Sequence, residues 1–244
     1  MLAEEAVNQH HIQINLEAFS YGEKPVFSDL RFKLPLGKWT AILGPSGVGK
    51  SSLLRVMAGL IPTANALESC TYLQQSDSLL PWLNVLDNVL LKQRLENGLF
   101  PLTHEHDTIS LATHLLEKIG LADVSHYYPH QLSGGMKQRV ALVRTLLQQT
   151  PLILLDEPFS ALDVMTRYKL QTLAMELLSD KTVLFVTHDP AEALRLANTI
   201  YIMHEQPATL SLAFNLASAA PRDTHQHDII TLHGELLARL AEAA

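Results

Sequence analysis

One cysteine, Cys70, stands in a chain of 244 residues, so no intrachain disulfide can form and no cysteine-rich metal cluster can be built. A reducing, cytosolic compartment fits that usage best. A basic surplus is also lacking: the formal charge is −7 with histidine neutral. That argues against a general nucleic-acid binder, although net charge alone leaves a local basic strip open. No uninterrupted apolar stretch approaches the roughly 18–20 residues needed to cross a bilayer. The first residues, Met-Leu-Ala-Glu-Glu-Ala-Val-Asn, have neither the basic flank nor the apolar run of a signal peptide. Any membrane association is therefore expected to come through a partner. There is no internal repeat and no low-complexity tract. Apolar residues make up 47% of the chain, enough for one large α/β domain with a substantial core.

The pattern of those residues gives the layout. Residues 11–19 alternate apolar and polar, as a half-buried antiparallel strand does, and Tyr21-Gly22 breaks it. A second strand is expected over Phe27–Leu34, before a turn at Pro35–Lys38. Trp39–Leu43 reads as a buried strand, and Ser51–Leu60 as a helix with Leu53, Leu54, Met57 and Ala58 on one side. Residues 81–119 are mostly helical with a break at Pro101, and Ile109, Ala112, Leu116 and Ile119 recur at helical spacing. Another helix opens near Ser133. Leu152–Leu155 and Thr182–Thr187 are short apolar strands between helices, the signature of a parallel sheet covered on both faces. Thr199–Met203 and Thr209–Phe214 close the sheet. A loosely ordered stretch, Ser218–His227, precedes a last helix over about Asp228–Leu240.

The chemistry concentrates at the ends of these strands. Gly44, Pro45, Ser46, Gly47, Val48, Gly49, Lys50, Ser51 and Ser52 run consecutively between a buried strand and a helix. The three glycines let backbone N–H groups wrap a phosphate, helped by the field of the helix amino terminus. Lys50 is placed to reach β- and γ-phosphates, Ser51 to ligate Mg²⁺ and Ser52 to add a phosphate contact. Asp156 ends an apolar strand, where it can hold the metal directly or through water, and the adjacent Glu157 can orient attacking water. His188 ends another strand, where a side chain at the carboxyl edge can approach the ligand crevice. Taken alone, a histidine there is more often structural, and Gln75 is equally an ordinary loop-capping amide. Leu132-Ser133-Gly134-Gly135-Met136 is a turn poised to open a helix and looks like a second phosphate grip. Two grips in one chain suggest a nucleotide held between two copies. His104 with His106 and His225 with His227 lack a third well-spaced ligand, so no structural metal is expected.

In this order the elements resemble the ATP-binding subunits of ABC transporters, in particular the importer branch for nitrate, sulfonates, taurine and related small solutes. The resemblance spans about residues 12–204. It implies an α/β fold: a P-loop nucleoside triphosphatase core, an antiparallel β subdomain, and an α-helical signature subdomain over about 81–135. Residues 1–244 would be one ATPase domain with a short extension over 205–244. By resemblance, Tyr21 stacks on adenine, residues 44–52 are the Walker A motif, and Gln75 is the Q-loop glutamine reaching nucleotide and metal. Leu132–Met136 is the signature, Leu152–Glu157 is Walker B with Glu157 as catalytic carboxylate, Ser160–Asp163 is the D-loop, and His188 is the switch histidine. Catalysis would then rest on Glu157, His188, Lys50 and Gln75, with ATP and Mg²⁺ as ligands. Partners would be a second copy bound head to tail, so that Ser133, Gly134 and Gly135 complete the opposite site, and an integral membrane permease docking near Leu79-Leu80-Pro81-Trp82-Leu83. A solute-binding protein outside the cell would act indirectly, and the chain would sit on the cytoplasmic face of the membrane.

Two departures from the family stand out. The segment from Leu60 to Gln75 is short and lacks a glycine-rich turn carrying a further strand pair, so the antiparallel sheet is expected to be trimmed. Glu205-Gln206-Pro207 replaces a glycine-centred hairpin. The competing readings are a soluble ABC-type ATPase without a transport role, disfavoured by the absence of tandem domains or long helical insertions, and a non-catalytic nucleotide module, disfavoured by Glu157 and His188.

Overall fold

Strands come first along the chain: β1 (Val7–Asn8), β2 (His11–Leu16), β3 (Phe19–Tyr21), β4 (Lys24–Phe27), β5 (Leu30–Pro35) and β6 (Trp39–Leu43). Helix α1 (Lys50–Met57) and strand β7 (Cys70–Leu73) follow. Then come α2 (Val85–Val89), α3 (Leu91–Glu96), α4 (His106–Lys118) and α5 (Gly134–Leu146), with 3-10 turns at Ala122–Val124 and Pro129–Gln131. The remainder alternates β8 (Leu152–Asp156), α6 (Val164–Leu177), β9 (Thr182–Val186), α7 (Pro190–Leu196), β10 (Thr199–His204), β11 (Thr209–Asn215) and α8 (His227–Glu242). This computed structural model describes residues 7–8, 10–62, 67, 69–76, 78–96, 106–148 and 150–242. The expected break at Pro101 and the histidine at 104 lie outside the described residues.

The described residues fall into two compact units. One is drawn from Met1–Tyr72, Thr150–Glu157 and Leu178–Ala244, the other from Leu73–Gln149 and Pro158–Leu177. In the first, the main sheet has the strand order β11-β10-β6-β9-β8-β7 among the described residues. Strands β10, β6, β9 and β8 pair in parallel, and β11 returns antiparallel to β10. Every residue of β6, β8 and β9 is buried, which is why these strands read as unbroken apolar runs rather than alternating ones. An antiparallel sheet, β1-β2-β5, and the hairpin β3-β4 complete the unit. The expected strand over Phe27–Leu34 is divided: Phe27 ends β4 and Leu30 opens β5, while Asp29 between them accepts from the Ala18 N–H. Leu53, Leu54 and Met57 of α1 share one core with Ile14 and Leu16 of β2, Phe32 and Leu34 of β5, and Leu154, Leu184 and Val186 of the parallel sheet. Each such buried side chain contributes roughly 1.5–3 kcal/mol. At the β10–β11 turn Glu205 takes φ +70, the left-handed conformation usually left to glycine, and its carboxylate accepts from the Thr209 hydroxyl.

The expected irregular stretch ends at Gln226, since His227 already opens α8, and it is not loose. Arg222 is only 4% exposed, and its guanidinium reaches back to the end of α7. One nitrogen donates to the carbonyls of Leu194 (2.9 Å) and Ala197 (2.7 Å), groups a helix end leaves without intrahelical partners. The others donate to Ser218 Oγ at 2.7 Å and the Ser218 carbonyl at 2.6 Å. Replacing Arg222 with Met keeps the aliphatic volume and strands these acceptors, so thermal unfolding should show a loss of about 2–4 kcal/mol. Arg222→Lys should recover only part of it, because an ammonium cannot reproduce the planar fork. An unchanged melting temperature in both variants would mean that water satisfies the carbonyls equally well.

The second unit is helical. Helices α2, α4 and α5 pack on one another, burying Val85, Val89, Ala112, Leu115, Leu116 and Val140. Ser133 caps α5: its hydroxyl accepts from the Met136 N–H at 3.3 Å, as the serine-glycine turn predicted.

Candidate active site

The loop after β6 is shaped by close approach. A side chain on Gly44 would place its Cβ 2.3 Å from the Met203 carbonyl oxygen, so only glycine fits beside β10. Gly49, at φ +117, caps α1, and a Cβ there would lie 2.8 Å from Val26 Cγ1. Between them the loop opens outward: Pro45, Ser46 and Gly47 are exposed, and a Cβ on Gly47 would meet nothing within 4 Å. The observed geometry is a rigid-based, open-mouthed cradle at a helix amino terminus, with Val48 buried beneath it and Ser52 half-buried on α1.

Lys50 is 6% exposed, and its ammonium donates to the carbonyls of Gly44 at 2.8 Å and Pro45 at 2.9 Å. Burial pushes its pKa down, while the negative charges of Glu157 and Asp156 pull it back. One residue on, the Ser51 hydroxyl donates to Asp156 Oδ1 at 2.9 Å. Asp156 is 1% exposed at the carboxyl end of β8, and Tyr72 of β7 donates to its other oxygen, Oδ2, at 2.9 Å. Burial raises the Asp156 carboxyl above the ordinary range, the bonds from Ser51 and Tyr72 oppose that rise, and the charge of Glu157 adds to it. A hydroxyl and a carboxylate side by side are the hard oxygen pair that Mg²⁺ takes, so the residues present fit that ion.

Glu157 turns the chain out of the strand at φ +47, with its N–H bonded to the Val186 carbonyl at 3.1 Å. A glutamate held in the left-handed region is strained, and such strain gathers at functional positions. His188 follows β9, and its Nδ1 lies 3.3 Å from Glu157 Oε1. Ile42 pairs with Val186 and Val186 with Asp156, so Gly44, Asp156, Glu157 and His188 leave three adjacent parallel strands at the same edge. Tyr21 sits half-exposed at the tip of the β3-β4 hairpin, whose turn places Gly22 at φ +60, and its ring meets Phe19 edge-on.

The structure thus brings Lys50, Ser51, Asp156, Glu157 and His188 into one constellation of the first unit. Gln75, Ser133, Gly134 and Gly135 belong to the second unit, where Gln75 is exposed just after β7. Ser133 and Gly134 lie exposed at the start of α5, and a Cβ on Gly135 would come within 3.3 Å of the Ala161 carbonyl. In that unit the buried Asn88 clamps the Leu79–Leu83 stretch: its amide accepts from the Leu80 N–H and donates to the carbonyls of Leu80, Leu83 and Asn84. Trp82, carried on that stretch, is 69% exposed. Tyr72 was not singled out from the sequence. The only local signal was the β-forming Thr-Tyr-Leu before the paired glutamines.

A strand, an open glycine loop, a buried lysine and paired carboxylates at a parallel sheet edge define a P-loop nucleotide site. The family model for ABC transporters matches residues 27–160. An uncharacterized ABC transporter ATP-binding protein of Haemophilus influenzae is 43% identical over 241 residues, covering 94% of this chain and 98% of that protein. An aliphatic sulfonates import ATP-binding protein of Rhodococcus jostii is 40% identical, over 91% of this chain and 90% of its own length. Among solved structures, the fold is similar to a dimeric ATP-binding cassette in a post-hydrolysis state with ADP and Pi (TM-score 0.68, 26% identity, 88% of this chain and 99% of that one). It is also similar to a metal-chelate-type ABC transporter in an inward-facing conformation (TM-score 0.67, 26% identity, 91% and 88%). The chain belongs to the ABC transporter family.

Proposed function

We propose that this chain is the ATP-binding and ATP-hydrolysing subunit of an importer, driving a small polar solute through a separate membrane permease. The observation that carries this is the assembly of Lys50, Ser51, Asp156, Glu157 and His188 at one edge of the parallel sheet. In this reading the loop Gly44–Ser52 binds the phosphates, and Lys50 exchanges its two loop carbonyls for β- and γ-phosphate oxygens. Tyr21 stacks on the adenine. Ser51 and Asp156 would hold Mg²⁺, which would supply positive charge against the phosphate oxygens. Glu157 accepts the proton of the attacking water, and His188 holds the glutamate and contacts the γ-phosphate. The transfer needs little covalent participation from the protein, so positioning and charge carry most of the rate.

A second copy would bind head to tail, placing Ser133, Gly134 and Gly135 on the nucleotide of the opposite site. The likeness to a dimeric cassette with ADP and Pi supports pairing of two chains. Relatives named for aliphatic sulfonate import, such as that of Pseudomonas putida at 38% identity, support the importer assignment. Among the described residues no helix is long and apolar enough to cross a membrane, and the import ATP-binding relatives support a separate permease partner. The clamped, exposed Trp82 stretch supports docking of that permease, and the chain would lie on the cytoplasmic membrane face. The permease and an external binding protein would select the solute.

The test is to tag the chain in its native cell, solubilise membranes gently and identify co-purifying proteins by mass spectrometry. A polytopic permease is the expected companion. Reproducible recovery of soluble partners alone, with the membrane fraction well extracted, would favour a soluble ATPase instead.

A further inference from the structure

Strand β7 brings a tyrosine to the carboxylate that, on the reading above, holds the metal. The Tyr72 ring packs against the core beneath α1, and its hydroxyl lies 2.9 Å from Asp156 Oδ2. The phenol donates and the carboxylate oxygen accepts, so the Tyr72 hydrogen is committed to Asp156. Ser51 donates to the opposite oxygen, Oδ1, at 2.9 Å. The carboxylate is gripped from both sides and cannot turn about its terminal torsion without breaking one bond.

We propose that Tyr72 is a positioning residue that pins Asp156 Oδ2 and so aims Oδ1 at the metal beside Ser51. The proposal rests on the Mg-nucleotide reading of this site. It assigns Tyr72 a role beyond filling the core. A free carboxylate at this buried strand end would sample orientations in which neither oxygen faces the metal. Holding it in advance removes that ordering cost when the ion arrives.

The experiment is equilibrium binding of a fluorescent ATP analogue to the purified full chain, with Mg²⁺ and with EDTA. Wild-type protein should bind more tightly with Mg²⁺. Tyr72→Phe keeps the ring and loses the hydroxyl. It should cut the Mg²⁺ enhancement by about tenfold while leaving affinity in EDTA within about twofold. Tyr72→Met, which fills the apolar space flexibly without a hydroxyl, should lose the enhancement to the same extent. This second variant keeps the proposal falsifiable where Tyr72→Phe folds poorly. Full enhancement in Tyr72→Phe would overturn the assignment, as would equal losses with Mg²⁺ and with EDTA, which would mark Tyr72 as packing alone. Wild-type protein that binds the analogue but gains nothing from Mg²⁺ would overturn the reading of Ser51 and Asp156 as the metal pair, an outcome distinct from the other two.

Discussion

Replacing Glu157 with glutamine should stop phosphate release while ATP stays bound, so that the chain accumulates as an ATP-bound dimer. The substitution conserves volume and leaves an oxygen that can still accept from His188, whose Nδ1 stands 3.3 Å from Glu157 Oε1. The backbone that presents the side chain, tied by its N–H to the Val186 carbonyl, is untouched. What disappears is the negative charge and the capacity to take a proton from water. Removal of a positioned general base typically lowers turnover by about 10²–10⁴-fold. Nucleotide contacts from Lys50 and Ser51 survive, so affinity should hold, and without hydrolysis the pair of chains has no signal to part. Phosphate release and size-exclusion chromatography with ATP and Mg²⁺ read the two effects separately. Turnover at the wild-type rate would remove Glu157 from the mechanism.

Lys50→Ala should act at the earlier step. The ammonium is almost fully buried among loop carbonyls, and burial already presses against its charge. Triphosphate oxygens are better acceptors than the Gly44 and Pro45 carbonyls because they are charged, and charge-assisted bonds are roughly twice as strong as neutral ones. Losing the residue should weaken ATP binding at least about tenfold and lower turnover by about 10²–10³-fold, the scale for one donor aimed at developing charge. Lys50→Arg should not rescue, since a planar fork cannot enter the space between α1 and the loop that a single nitrogen occupies. Unchanged affinity and turnover in Lys50→Ala would sink the assignment.

The parts of this site that were legible in the sequence are those written locally. Gly44–Ser52 announces itself because a buried strand, three glycines, a lysine and a helix must follow in that order to hold a phosphate. Asp156 and Glu157 were legible because β8 is apolar throughout and ends abruptly in charge. Tyr72 was not. Strand β7 has four residues, too few for alternation to register, and the carboxylate that Tyr72 meets is 84 positions further along. Arg222 was hidden for another reason. Its acceptors are mainly backbone carbonyls, two of them at the end of α7, and a carbonyl carries no residue identity to read. The same holds for Glu205, whose left-handed turn does a glycine's task without a glycine. Gln75 was placed in function by resemblance and Ser133 by its serine-glycine turn and then by resemblance, and their own unit explains only their local geometry: an exposed loop after β7 and a helix cap.

The most direct test of the central claim is phosphate release from the complex recovered from membranes, compared between wild-type chain and Glu157→Gln in the same complex. The account predicts steady Mg²⁺-dependent ATP turnover in the first and bound, unhydrolysed ATP in the second. Equal turnover in both, or ATP bound without turnover in the wild-type complex, would contradict it.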